Sequence, residues 1–239
     1  MLHSEIAHST FADRSNLLAD SLKLHDVRLT LPAQSGPVEI LKGINFSVTP
    51  GECVAVIGPS GSGKSSLISV AAGLERITSG TIELLGTNIT GMGEDDLARL
   101  RRGRVSLIFQ SYHLLPTMTA LDNVRIPLEI SGMKDVRERA HALLTEVGLA
   151  DRLDHYPGQM SGGERQRVAV ARALASDPEI VFADEPTGNL DGETGESVAN
   201  MLFDIVQKHK TAMVLVTHDR ELAKRADRIV TMRNGQLET

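Results

Sequence analysis

The sequence has few aromatic residues: it contains no tryptophan, two tyrosines and five phenylalanines, which together make up 3% of the chain. Aliphatic side chains must therefore form most of any hydrophobic core, and the hydrophobic content of 41% is enough for one. The single cysteine, Cys53, excludes an intramolecular disulfide and is expected to be a small buried apolar residue.

The sequence also lacks segments that would place it in or across a membrane. No apolar run approaches the ~18 residues that span a bilayer, and the stretch from Met1 to Asp20 lacks the basic and apolar blocks of a signal peptide. The formal net charge of −6 argues against a general nucleic-acid-binding protein. We therefore expect a soluble cytoplasmic protein with no nucleic-acid partner and no direct membrane insertion, which would reach a membrane only through another protein.

One stretch predicts nucleotide binding. An apolar run, residues 53–57, is typical of a strand buried on both faces, and a predicted helix follows it. The residues between them match the phosphate-binding pattern G-x-x-x-x-G-K-[ST], and with the residue after it the candidate site is Gly58, Pro59, Ser60, Gly61, Ser62, Gly63, Lys64, Ser65 and Ser66. Lys64 is expected to reach the β- and γ-phosphates, and Ser65 to place its hydroxyl on Mg²⁺.

Polar residues end several other apolar strands. Gln110 follows one, Asp184 and Glu185 end another, and His218 follows a third. Parallel sheets bind ligands at the carboxyl ends of their strands, so these side chains should converge. We choose Asp184 as the Mg²⁺ ligand and Glu185 as the residue that polarises the attacking water. The alternatives are two solvated acids at a strand end and a structural histidine.

A second glycine pair precedes a helix. Ser161 and Glu164 have the S-x-x-E spacing of a capping box, so the segment indicates a well-capped helix. Because Gly162 and Gly163 leave the helix start unshielded, a second phosphate-binding surface is the alternative interpretation.

At 239 residues the chain suits one large α/β domain or a core with an inserted subdomain. With the P-loop motif between a strand and a helix, we predict an α/β fold with a P-loop NTPase core and a mostly parallel sheet. We predict a polar N-terminal extension over residues 1–22 and a nucleotide-binding domain over residues 24–239. Strands near residues 24–31 and 40–48 should form a small antiparallel β subdomain.

Residues from about 111 to 162 differ from the rest. Pro116 and Pro127 are expected to break this segment, and one amphipathic helix is predicted from Val136 to Val147. The segment is therefore predicted to be an inserted helical subdomain.

The residues above resemble the nucleotide-binding subunits of ABC transporters. The set that carries the resemblance lies in one order along residues 24–239: the P-loop at 58–65, Gln110, Met160-Ser161-Gly162-Gly163-Glu164, Asp184-Glu185, Asn189-Leu190-Asp191 and His218. The signature of that family is usually Leu-Ser-Gly-Gly-Gln, and here Met160 and Glu164 replace its first and last residues.

The subgroup is also recognisable. The segments 109–116, 184–191 and 217–219 resemble those of the lipoprotein-release and macrolide-export class (LolD/MacB-like), and within it the YbbA-like members. This resemblance implies a bacterial protein that pairs with an inner-membrane permease bearing few spans and a periplasmic domain, and that is peripheral on the cytoplasmic face. Such systems often transmit force rather than pass a substrate through the membrane.

The resemblance implies a homodimer with two composite sites. ATP on the P-loop of one subunit is covered by residues 161–163 of the other, and Asp191 links the two sites. Ser65, Gln110 and Asp184 hold or sense Mg²⁺, Glu185 acts as the base for water, and His218 contacts the γ-phosphate. ATP and Mg²⁺ are thus the expected cofactors, and the protein is expected to be an ATPase.

One departure concerns the base of the nucleotide. The family usually carries an aromatic residue before the Ile40–Leu41 pair that stacks on adenine, but the matching position lies near Leu31, and no aromatic residue occurs between Phe11 and Phe46. We therefore hypothesise that GTP is hydrolysed as well as ATP.

Several functions compete at this point. The leading one is the motor subunit of a membrane transporter, and the second is a regulatory ATPase that drives a membrane protein controlling cell-wall enzymes. Soluble ABC ATPases of repair or translation usually carry two cassettes or a long coiled-coil insertion, which this sequence lacks. A small-molecule kinase would not need residues 161–163 or His218, and a non-hydrolysing binding module would be expected to lack Lys64 or Glu185.

The resemblance places the permease contact between Gln110 and about Gly132. Leu114, Leu115, Pro116 and Met118 form an apolar run there that suits a partner groove. The alternative is that they are ordinary core residues of the helical subdomain.

Overall fold

Two β-sheets organise the part of the chain that the computed structural model describes, residues 19–34 and 36–238. The strands are β1 Leu22–Leu31, β2 Val38–Val48, β3 Cys53–Ile57, β4 Ser79–Leu84, β5 Thr87–Asn88, β6 Val105–Phe109, β7 Ile180–Asp184, β8 Ala212–Thr217, β9 Arg228–Arg233 and β10 Gln236–Glu238. The helices are α1 Lys64–Ala71, α2 Glu94–Arg101, α3 Ala120–Ile130, α4 Val136–Glu146, α5 Gly162–Leu174, α6 Gly192–Lys208 and α7 Arg220–Ala223, with 3₁₀ turns at Ala150–Arg152 and Pro157–Gln159.

The smaller sheet has four antiparallel strands in the order β2-β1-β4-β5. It confirms the antiparallel N-terminal strands predicted from the alternating apolar residues. Strand β1 begins at Leu22, whose side chain is fully buried, so the strand starts slightly before the predicted residue 24. Residues 1–18 of the predicted N-terminal extension lie outside the described residues, and the division at residue 22 stays a prediction.

The larger sheet has six strands in the order β10-β9-β3-β8-β7-β6. All its pairings are parallel except the β9–β10 hairpin, which turns at Asn234 and Gly235, both with positive φ. Strands β3, β7 and β8 are buried almost throughout, because apolar side chains pack against both faces of the sheet. The mostly parallel α/β core predicted from the sequence is confirmed.

Helices α3, α4 and α5 pack together to one side of this sheet, where the sequence predicted a helical segment. The expected break at Pro127 is wrong, because Pro127 lies inside α3. Proline costs a helix interior about 3 kcal/mol through its missing N–H and its ring clash. Leu121, Val124 and Leu128 of α3 are buried in the core, and this packing offsets the cost. The predicted subdomain boundaries, about 111–162, stay a prediction.

Within residues 19–34 and 36–238, every helix is too short or too polar to cross a bilayer.

Candidate nucleotide-binding site

Two positions of the loop between β3 and α1 require glycine, one because the loop approaches the β9 backbone too closely for a side chain and one because of its left-handed backbone. A Cβ atom on Gly58 would lie 2.1 Å from the backbone oxygen of Met232. Gly63, the N-cap of α1, has φ 106°, and a Cβ there would lie 2.9 Å from the Met232 side chain. The glycines therefore let the loop turn tightly against the sheet just before the N-terminus of α1. A glycine-rich loop that leads into a helix N-terminus is suited to bind an anion.

The Lys64 side chain is hydrogen-bonded to the backbone of this loop. Its Nζ donates hydrogen bonds to the carbonyl oxygens of Gly58 at 2.9 Å and Pro59 at 3.0 Å, and the residue is 8% exposed. A largely buried ammonium group beside a row of loop amides is suited to bind phosphate oxygens.

A cavity of about 520 Å³ opens in front of the loop. Its lining brings together residues from the ends of several strands: Ile40, Ser60, Gly61, Gly63, Lys64, Ser65, Ser66, Gln110, Asp184, Glu185 and His218. The convergence predicted from the strand ends is therefore observed. Gly58, Pro59 and Ser62 belong to the same loop but do not line the cavity, and Ile40 is a lining residue that the sequence did not suggest.

Asp184 ends β7 beside the loop and is half-buried. Burial raises the pKa of the Asp184 carboxyl above its usual value, and the neighbouring Glu185 adds to the rise, while a hydrogen bond with the Ser65 side chain and the charge of Lys64 oppose it. Because partial burial makes ionisation of Asp184 costly, a cation bound beside it would stabilise the ionised carboxylate.

The oxygen donors around Asp184 fit a magnesium ion. They are the Ser65 hydroxyl, the Asp184 carboxylate and the Gln110 amide oxygen, and hard oxygen ligands are those that Mg²⁺ takes. Among the described residues no group of three or more His, Cys, Asp or Glu side chains could hold a metal. Since Mg²⁺ prefers six oxygen ligands, an ion held by these three protein oxygens would take its other ligands from water or phosphate oxygens.

Glu185 leaves the strand in a left-handed conformation, with φ 48°. Such a backbone costs a non-glycine residue about 1–3 kcal/mol and must be held by its surroundings. Its N–H donates to the Val216 oxygen at 2.9 Å, Thr217 Oγ1 donates to its Oε2 at 3.3 Å, and His218 Nδ1 lies 2.8 Å from its Oε1. The carboxylate is thus fixed at the cavity wall by the end of β8.

Gln110, at the end of β6, is paired with a residue to which the sequence assigned no role. Gln110 Nε2 donates to Asn189 Oδ1 at 3.1 Å, and Asn189 Nδ2 donates to the Gln110 carbonyl oxygen at 2.9 Å. The only signal in the sequence was the presence of Asn189 in the motif Asn-Leu-Asp.

The segment after Gln110 is held from α5. Tyr112 and His113 both have positive φ, and their carbonyl oxygens accept hydrogen bonds from the Arg172 guanidinium at 2.9 and 2.6 Å. Burial lowers the pKa of Arg172 from its usual value. Arg172 also went unnoticed in the sequence, since nothing local indicates which loop it meets.

The second glycine pair does not line the cavity. Ser161 caps α5 in a capping box: Glu164 N donates to Ser161 Oγ at 3.2 Å, and Ser161 N donates to Glu164 Oε2 at 2.8 Å. Hydrogen bonding from the Ser161 backbone lowers the pKa of Glu164, and its ion pair with Arg152 adds to this. The predicted well-capped helix is therefore confirmed.

Gly162 and Gly163 lie where α5 begins, between the Gln110 segment and α6. A Cβ on Gly162 would lie 3.2 Å from the Tyr112 hydroxyl, and one on Gly163 would lie 2.3 Å from the Thr194 side chain. Asp191 caps α6, where its Oδ1 accepts from Thr194 N at 3.0 Å, and this bond lowers the Asp191 pKa. The cavity of the same chain is not lined by Gly162, Gly163 or Asp191, and the same holds for Ser161 and Glu164.

Comparisons with known proteins agree with this geometry. The protein-family model described as "ABC transporter" matches residues 41–188. The Escherichia coli (strain K12) protein named "Uncharacterized ABC transporter ATP-binding protein YbbA" is 44% identical over 219 residues, which cover 91% of this chain and 96% of that protein. The "Lipoprotein-releasing system ATP-binding protein LolD" of Legionella pneumophila (strain Lens) is 47% identical over 202 residues, covering 84% and 89%.

A solved structure has the same fold. It is described as the "dimeric structure of a post-hydrolysis state of the ATP-binding cassette MJ0796 bound to ADP and Pi", and it superposes with a TM-score of 0.84 at 36% identity. The match covers 91% of this chain and 97% of that one.

Proposed function

The chain belongs to the ABC transporter family, whose ATP-binding domains hydrolyse ATP, and we propose that it is the motor subunit of an inner-membrane complex, dimerising around two ATP molecules to drive a permease. The resemblance to the lipoprotein-release class is confirmed by its relatives. The observation that supports the proposal is that two sets of the predicted site residues lie apart on one chain. Lys64, Asp184, Glu185 and His218 share one cavity, while the Ser161 capping box lies outside it.

We infer the following roles within one cavity. The loop amides and Lys64 hold the phosphates, and Ser65, Gln110 and Asp184 would hold Mg²⁺, which neutralises phosphate charge when bound. A water oxygen attacks the γ-phosphorus, the bond to the β–γ bridging oxygen breaks, and Glu185 takes the proton from the water. Since an ionised carboxylate only accepts hydrogen bonds, His218 Nδ1 donates to Glu185 and orients it.

We infer that a second copy completes each site. The N-terminal end of α5, where Ser161 is exposed and Gly162 is partly exposed, would be the surface for the γ-phosphate bound to the partner copy, and Asp191 would connect the two sites. The solved neighbour is described as dimeric, which supports this arrangement. ATP then stabilises the dimer, and hydrolysis followed by phosphate release loosens it, which is a ligand-driven population shift.

The proposed permease surface includes the apolar run after Gln110. Leu114 packs against the core, as the alternative interpretation expected, but Leu115 is 42% exposed and Met118 is 36% exposed. Two exposed apolar side chains near Gln110 suit contact with a membrane partner that responds to the occupancy of the site. Localisation on the cytoplasmic face of the inner membrane follows from this proposal.

Tagged Glu185→Gln protein, held with ATP and purified from detergent-solubilised membranes, should retain its permease. A protein with a few spans and a large extracytoplasmic domain is expected, and a many-span permease would indicate a conventional transporter. A membrane protein bound to regulators of cell-wall enzymes would favour the regulatory alternative. Recovery of no membrane protein, with ATPase activity intact, would contradict the proposal.

Leu115→Asp should abolish this co-purification and leave the ATPase activity of the isolated protein within about twofold, because a surface change costs little stability. Val38→Asp is the matched control, since Val38 on β2 has the same 42% exposure as Leu115. Equal recovery of the permease with both variants would remove Leu115 from the contact surface.

Hydrolysis of GTP at a rate within about tenfold of ATP is expected under equal conditions. Ile40 lines the cavity, and no aromatic residue lies between Phe11 and Phe46. The cavity lining among the described residues therefore contains no Phe, Tyr or Trp that could give a base a stacking contact of about 1–3 kcal/mol. Initial rates with both nucleotides at saturating Mg²⁺ test this, and a preference for ATP of about 100-fold would reject it.

A further inference from the structure

Two loops that lie far apart in the sequence are joined by a reciprocal amide pair. Gln110 and Asn189 are 79 residues apart, and each donates one hydrogen bond to the other. The first bond runs from the Gln110 side chain to the Asn189 side chain, and the second runs from the Asn189 side chain to the Gln110 backbone. The pair therefore fixes both the position of Gln110 and the direction of its amide group.

This pairing determines which atom Gln110 presents to the cavity. Its amide nitrogen is turned to Asn189 Oδ1 at 3.1 Å, so the amide oxygen is the atom left for the cavity that Gln110 lines. An amide oxygen is a ligand for Mg²⁺, whereas an amide NH₂ group is only a donor. Asn189 thus holds Gln110 in the orientation that can bind a metal.

The neighbouring glycine is an independent sign of the same close fit. A Cβ on Gly188 would lie 2.9 Å from Gln110 Nε2 and 3.4 Å from Glu185 Cβ. Gly188 N also donates to the Glu185 carbonyl oxygen at 3.0 Å, which closes a turn from Glu185 to Gly188, directly before Asn189. A side chain at position 188 would push the Gln110 amide away from Asn189.

We propose that Asn189 is a positioning residue that orients Gln110 as a ligand of the nucleotide-bound magnesium ion. The proposal rests on the proposed function, because it needs the Mg²⁺·nucleotide site in front of the P-loop. Groups that orient a metal ligand commonly change metal affinity or activity by about 10–100-fold when they are removed. Through the short segment from Asn189 to Asp191, the same contact would connect the metal ligand to the residue that caps α6.

The test measures magnesium binding without turnover. A fluorescent, non-hydrolysable ATP analogue is titrated onto the purified full chain in EDTA and then at increasing Mg²⁺ concentrations. For Asn189→Ala, the Mg²⁺ concentration that gives half of the response should rise about 10-fold, while the affinity in EDTA stays within about twofold. Asn189→Asp keeps the acceptor for Gln110 Nε2 and loses only the donor to the Gln110 carbonyl oxygen, whereas alanine loses both, so the aspartate variant should shift this concentration less than alanine does.

Matched controls separate positioning from general damage. Asn200→Ala and Asn200→Asp make the same changes on an exposed position of α6 and should match wild type. Gly188→Ala should reproduce the shift, whereas Gly158→Ala should not, because a Cβ at Gly158 meets nothing within 4 Å among the described residues. Thermal unfolding midpoints show whether each variant is folded.

The outcomes are distinct. An unshifted Mg²⁺ response in folded Asn189→Ala, or a loss of affinity that is equal with and without Mg²⁺, would overturn the positioning role. A shift for Asn189→Asp as large as that for Asn189→Ala would overturn the orientation argument. Wild-type protein whose nucleotide binding ignores Mg²⁺ would instead contradict the proposed function itself.

Discussion

Replacing Glu185 by glutamine should slow ATP hydrolysis by about 10²–10⁴-fold, the usual range for losing a general base. The glutamine side chain has nearly the same shape, but its amide cannot take the proton from the attacking water. Fold and nucleotide affinity should be kept, because the left-handed backbone at Glu185 is held by its N–H bond to Val216, which the substitution leaves in place.

Steady-state phosphate release and equilibrium nucleotide binding are the two measurements. Glu83→Gln is the matched control, since Glu83 is exposed on β4, away from the cavity. Normal turnover in Glu185→Gln would remove Glu185 from the mechanism, and a loss of ATP binding would show that its role is to hold the site together.

Replacing Lys64 by alanine should abolish useful nucleotide binding, with a dissociation constant raised by at least about 100-fold. The Lys64 ammonium group lies at the P-loop and is largely buried, so each hydrogen bond that it makes to phosphate is charge-assisted and contributes about 1.5–3 kcal/mol. Two such bonds, at 1.4 kcal/mol for each factor of ten, account for the expected loss.

Calorimetric titration with ATP measures this loss directly. Lys23→Ala removes the same charge from an exposed position on β1 and should bind ATP as wild type does. Micromolar affinity retained by a folded Lys64→Ala protein would contradict the assignment of the phosphate site.

The cavity was predictable from sequence because its parts are local patterns. Strands β3, β6, β7 and β8 are apolar runs that lead to the P-loop, Gln110, Asp184–Glu185 and His218, and parallel pairing brings such strand ends to one edge. The glycines of the P-loop were predictable for the same reason, since their spacing reflects the tight turn that Gly58 and Gly63 make beside β9.

The contacts between loops were not predictable in this way. The Asn189–Gln110 pair and the two bonds from Arg172 join segments whose separation along the chain carries no periodic signal. Helix α3 was missed because a proline normally ends a helix, and only the burial of Val124 and Leu128 shows why this one continues. The left-handed backbone at Glu185 likewise depends on its neighbours in β8.

The most direct test of the central claim is the mass of the Glu185→Gln protein in solution, measured by light scattering during size-exclusion chromatography. With ATP and Mg²⁺ the mass should be twice the monomer mass of 25.8 kDa, and without nucleotide it should be that of the monomer. The doubling should disappear when Lys64→Ala is added, because ATP can no longer hold the copies together. A mass that stays at 25.8 kDa at saturating ATP would contradict the composite-site dimer on which the proposed function rests.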